Sequence, residues 1–115
     1  MKDRNFITIA NKGSIHDTTM PLLEAAYSEF RELSKKKPDA AVSKKKIDIV
    51  NRLLTKIRDV LSDEESIIFL DLLDEDDIPQ VSEVTLILSQ YVAAMSEFRK
   101  KYKRWAGLEE KWATK

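Results

Sequence analysis

The chain has 115 residues, 43% hydrophobic and 35% charged, with 20 basic against 20 acidic side chains and no formal net charge. That is one domain's length, able to fold without a metal or disulfide staple, and zero net charge gives no global pull toward nucleic acid or an anionic membrane. With no cysteine and one histidine, thiolate chemistry, iron–sulfur clusters and multi-imidazole zinc sites within the chain are excluded.

Residues 1–18 show no helical periodicity. Phe6 to Ala10 fits a short strand or a tail, Gly13-Ser14 reads as a break, and the segment is expected to be a flexible arm. A first helix is predicted from Thr18 or Thr19, with Pro21 in its first turn. Leu23, Ala26, Tyr27, Phe30 and Leu33 make one apolar stripe. Lys35, Lys36 and Lys37 complement its C-terminal dipole, and Pro38 ends it.

A second helix is predicted behind Ser43 as N-cap. Ile47, Val50, Leu53, Leu54, Ile57, Val60 and Leu61 form the strongest stripe in the chain. Lys44, Lys45 and Lys46 in its first turn oppose the helix dipole. A third helix is expected after Ser62, which with Glu65 fits a capping box. Its residues Ile67 to Leu73 are apolar nearly all round, so it should be the most buried helix, stopped by Asp74–Asp77 and Pro79. A fourth starts near Val81-Ser82 and carries Val84, Ile87, Leu88, Tyr91, Met95, Phe98, Tyr102 and Trp105 to a stop at Gly107.

The pattern predicts an all-α single domain: an antiparallel four-helix bundle over 19–106, with the arm at 1–18 and a C-terminal tail at 107–115. No apolar run approaches the ~20 residues of a membrane span. The short apolar stretch near Met1 is no signal-peptide core, so the expected compartment is the cytoplasm, without membrane contact.

Charge is segregated along the chain. Positions 63–98 hold ten acids and no Lys or Arg, whereas lysines cluster at 35–37 and 44–46 and five cations lie between Arg99 and Arg104. In an up-down-up-down bundle the lysine-rich turn falls near Asp74–Asp77 and the basic end of the last helix near Asp63–Glu65, so these runs neutralise one another. In another topology they form exposed patches of opposite sign.

Three constellations carry candidate chemistry. Asp71 and Asp74 would share a helix face, followed by Glu75, Asp76 and Asp77, in the style of a Mg-dependent nucleotide hydrolase. The facing acids such a site needs are missing, since Glu24 and Asp48 stand alone, and an acidic helix end is the favoured reading. The lysines, with Arg99, Lys103, Arg104 and Trp105, suggest a basic-aromatic nucleic-acid surface, which the neutral charge disfavours. His16-Asp17 has no nucleophile beside it and reads as a surface pair. No catalytic residue, metal ligand or cofactor is therefore assigned.

Two pairs bear on packing and contact. Asn51 and Gln90 flank their stripes and either face each other or lie at the boundary. Trp105 and Trp112 either form a contact surface or fold back onto the bundle.

Val50-Asn51-Arg52-Leu53-Leu54, Phe69 to Glu75, Pro79-Gln80 and Leu86 to Tyr91 resemble pieces of a small uncharacterised bacterial all-helical family. The resemblance spans about residues 20–102. It implies a bacterial origin and a non-enzymatic default, and it transfers no functional residues.

The expected function is a non-catalytic protein–protein interaction or regulatory module. Its contact candidates are Lys35–Lys37, Lys44–Lys46, Arg99, Lys103, Arg104, Trp105 and Trp112. A nucleic-acid-binding helical protein and the nucleotide hydrolase are the alternatives. The partner is an unidentified protein or a second copy, because the fourth helix is predicted to be longer than the bundle needs.

Overall fold

The computed structural model describes residues 8–114. In chain order it contains α1 (Ala10–Lys36), α2 (Lys44–Val60), a 3-10 turn (Glu65–Phe69), α3 (Val81–Tyr102), β1 (Lys103–Ala106) and β2 (Glu109–Trp112). The expected four-helix bundle is thus corrected to three α-helices with a two-stranded antiparallel sheet. The third predicted helix is replaced by the 3-10 turn and non-helical chain, and the end of the fourth by a hairpin.

α1 begins at Ala10, so 10–18 of the expected arm is helical. Phe6 and Ile7 of the suggested strand lie outside the described residues. The N-cap Ile9 offers no side-chain cap and the first turn holds no acid, so tertiary contacts support this start. Lys12 Nζ donates to Asp63 at 2.8 Å and to Ser62 at 3.2 Å. Gly13 lies under the Trp112 ring, where an added Cβ would meet Cγ at 2.7 Å. Pro21 is inside the helix rather than in its first turn. Lys36 is the last helical residue, just ahead of Pro38, and Lys37 N–H closes on the Leu33 carbonyl at 2.8 Å.

α2 follows its sequence signals. Ser43 accepts from Lys46 N–H at 3.2 Å, and Ile47, Val50, Leu54, Ile57 and Val60 are buried, with Leu61 behind them. α3 opens with a capping box, Gln80 with Glu83, whose carboxylate accepts the Gln80 N–H at 2.7 Å. Val84, Leu88, Tyr91, Met95, Phe98 and Tyr102 face the core from α3. Helix α1 packs against both α2 and α3, with Leu23 and Phe30 fully or almost fully buried.

Two connections fix this arrangement. The α1–α2 loop pairs with the lead-in to α3: Val42 N–H reaches Pro79 O at 3.0 Å, and Val81 N–H reaches Ala40 O at 2.9 Å. The chain after the 3-10 turn is held against α2 and α3. Asn51 exchanges two bonds with the Leu73 main chain, both 2.8 Å. Arg58 donates to Leu70 O, and the Tyr91 hydroxyl donates to Asp71 O at 3.0 Å. Leu70 and Leu73 drop into the core while Ile68 and Phe69 stay exposed. The segment expected to be the most buried helix is therefore a strap with two anchors.

β1 and β2 pair with Lys103 opposite Trp112 and Ala106 opposite Glu109. Gly107, at φ 67°, makes the two-residue turn with Leu108, a place where glycine at the first central position matches the strand twist. The returning strand brings Ala113 N–H to Tyr102 O at 2.6 Å, and Thr8 N–H bonds Ala113 O at 2.8 Å. Among the described residues, no helix is long and apolar enough to cross a membrane.

Candidate functional site

His16 is the first departure from the expected surface. It is buried, not exposed. Its Nε2 lies 2.8 Å from the Met95 carbonyl, an acceptor, so the bonded ring nitrogen carries the proton. Phe98 stacks beside the imidazole at 5.6 Å, and Trp112 meets it edge-on at 4.8 Å. Trp112 Nε1 donates to Asp17 at 3.0 Å, and Lys103 sits over the indole at 4.8 Å. Of the two outcomes left open for the tryptophans, Trp112 folds back onto the domain. Trp105 leaves the helix for β1 and is 72% exposed.

Burial lowers the His16 pKa from its ordinary value. The bond to Met95 and the charge of Asp17 oppose this, while Lys103 and Arg99 reinforce it. The unfolded histidine titrates near pH ~6.5. Its stabilising contribution is therefore complete above that pH and declines as pH falls toward the lower folded-state pKa, because only the unfolded chain is then protonated. Urea midpoints at about pH 7.5 and 5.5 should fall further apart for wild type than for His16→Gln. Equal pH sensitivity in the two proteins would refute the assignment.

The acidic candidates do not assemble. Asp71, Asp74, Glu75, Asp76 and Asp77 lie in exposed non-helical chain instead of on one helix face. Asp74 accepts the Asp76 N–H at 2.9 Å, a local turn bond. Among the described residues, no three Asp, Glu, His or Cys side chains are grouped to hold a metal ion. Gln90 is exposed, and Asn51 bonds Leu73 instead of facing it.

The basic candidates are divided between the two ends of α1. Lys35–Lys37 close α1 and Lys44–Lys46 open α2, with Lys44 3.9 Å from Glu75. Arg99, Lys103 and Arg104 lie at the other end, near His16. Some twenty residues of helix separate the two sets, about 30 Å at ~1.5 Å per residue. Arg99 pairs with Glu110, Lys103 lies 3.5 Å from Asp17, and Arg104 donates to Lys101 O at 2.7 Å. The second set thus braces the hairpin.

A cleft of about 560 Å³ lies between the 3-10 turn and α3, lined in part by Asp63, Glu64, Glu97 and Phe98. Among its acids, Glu64 accepts from Tyr102 at 2.8 Å and from Lys101 at 3.1 Å. Burial and the Glu64 bond push the Tyr102 phenol above its usual pKa. Glu64 therefore ties the turn to the end of α3.

A second concavity is apolar. A groove of about 420 Å³ runs between α1 and α2, lined by Thr19, Leu22 and Ala26 on one wall and Ile49, Leu53, Arg52 and Lys56 on the other, over a Val50 floor. Steps of three and four residues put each set on one helix face. Leu22 is 56% and Ile49 53% exposed, although both are large enough to favour burial. The sequence pattern missed these residues because they stand beside the main stripes. The available signal was that both stripes are wider than a single partner helix requires.

No protein-family model matches the chain, no curated protein matches it, and no solved structure matches it.

Proposed function

We propose that the protein is a non-catalytic interaction module that docks another protein on its α1/α2 face, and that it works in the cytoplasm. The observation that carries this reading is the α1/α2 groove, an apolar trough with Leu22 and Ile49 half open to solvent. Apolar surface gathered in a concavity with charged residues at its edge is the usual anatomy of a contact site.

Leu22→Asp with Ile49→Asp tests the reading. Both positions are exposed, so the fold should persist with a stability change within about 1 kcal/mol. In affinity capture from bacterial lysate, split into nuclease-treated and untreated halves and run beside wild type, the variant should lose a protein that the wild-type chain retains in both halves. Equal retention by both chains, or retention that vanishes with nuclease, would overturn it.

A further inference from the structure

We infer that the α1/α2 groove receives an amphipathic helix of a partner protein, with its apolar ridge flanked by Asp and Glu. This rests on the interaction-module reading and adds the chemistry of the partner. The groove spans residues 19–26 of α1 and 49–56 of α2. That is about two helical turns, or ~10 Å of each wall. A helix presenting apolar residues at i, i+3 or i+4, and i+7 matches this length and lies against two helices as bundle members do. A flat bilayer does not reach the floor of a trough, and an apolar floor offers nothing to a phosphate backbone.

The rim determines the charge of the occupant. The charged lining residues, Arg52 and Lys56, both come from α2, and the α1 wall of Thr19, Leu22 and Ala26 carries none. Lys45, Ile49, Arg52 and Lys56 follow at steps of four, three and four, so a third cation continues the same face. Among the described residues, none of these three cations has a carboxylate within ion-pair distance. A basic helix would crowd them. An acidic one pairs with them at the exposed edge, where charge controls encounter rate and rejects wrong partners more than it adds affinity.

A second copy is a poorer fit. This chain's own acidic and apolar surface, around Ile68, Phe69 and Asp74–Asp77, is a 3-10 turn and non-helical strap, tied to its own α2 through Asn51 and Leu73. It does not present a free helical ridge.

The test uses the full chain, isotope-labelled, and two helical model peptides of about 20 residues that share a leucine ridge and differ in Glu or Lys flanks. The Glu-flanked peptide should bind, shift the resonances of Leu22, Ala26, Ile49 and Leu53, and weaken with added salt. Arg52→Glu with Lys56→Glu, both on the surface, should lower that affinity about tenfold or more and admit the Lys-flanked peptide. Equal binding of both peptides in the groove would overturn the acidic partner while leaving the docking surface intact. Binding of neither peptide, or shifts confined to another face, would overturn both the partner and the surface. Groove shifts that grow with protein concentration alone would assign the site to a second copy and overturn the partner class.

Discussion

Asn51→Leu is expected to destabilise the protein by about 2–4 kcal/mol, one of the two largest effects expected of a single side chain outside the apolar core. The Asn51 amide donates to the Leu73 carbonyl and accepts the Leu73 N–H, each at 2.8 Å. It acts as a rung of sheet where no neighbouring strand exists. Leucine has similar volume but neither a donor nor an acceptor. Leu73 is 5% exposed, so its two main-chain groups gain little from water once the amide is gone. Each orphaned group costs about 1–3 kcal/mol, with partial rescue at the surface reducing the sum.

The loss should also be local before it is global. With Leu73 released, the strap retains Arg58 on Leu70 O and Tyr91 on Asp71 O, which hold only its first half. Hydrogen exchange at residues 72–78 should therefore accelerate more than exchange in α2 or α3. A urea midpoint unchanged from wild type, with exchange also unchanged, would mean the strap is held by Leu70 and Leu73 burial alone.

That clamp also explains how much could be read from the sequence. Ser43 and the 47/50/53/54/57/60/61 stripe specify α2, which forms where the pattern puts it, whereas the stripe from Val84 to Trp105 specifies α3 only as far as Tyr102, short of the expected stop at Gly107. The run Ile67 to Leu73 has no such period. A short, nearly continuous apolar run fits a buried helix or extended chain equally. The choice was made by Asn51, Arg58 and Tyr91, more than ten positions away in sequence. The start of α1 was hidden for a similar reason. It has no cap and no first-turn acid, and its support comes from Asp63, Met95 and Trp112. Non-local support overrides weak local propensity.

The charge pattern transferred better than the topology. The sequence placed the basic end of the last helix near Asp63–Glu65 and the lysine-rich turn near Asp74–Asp77. Lys101 meets Glu64 at 3.1 Å and Lys44 approaches Glu75 at 3.9 Å. The strap joins the same two ends that a helix would have joined, so the juxtaposition survives the change of fold class. The α1/α2 groove was legible only in the width of the two stripes, because its residues come together only when α1 and α2 lie side by side with the outer edges of those stripes uncovered.

Gly13→Ala should carry opposite signs in two backgrounds. In the wild-type chain a methyl group at Gly13 would stand 2.7 Å from Trp112 Cγ and 2.8 Å from Cδ1, well inside van der Waals contact. These are ring atoms near the root of the side chain, so a rotation of the tip does not relieve the clash. The hairpin itself has to move. That strains the indole against His16 and Phe98 and pulls Nε1 from Asp17. Overpacking of this kind costs about 1–3 kcal/mol, and complete loss of the docked tryptophan about 3–5. Alanine's better helix propensity returns up to about 1 kcal/mol. The net expectation is a loss of about 1–3 kcal/mol, with a red shift of Trp112 emission in a Trp105→Phe background. In Trp112→Ala the ring is absent and the propensity gain remains, so the same substitution should be neutral or stabilise by up to about 1 kcal/mol. The double-mutant cycle isolates the contact. If Gly13→Ala has the same effect with and without Trp112, the hairpin does not rest on α1, and the helix start at Ala10 needs another support.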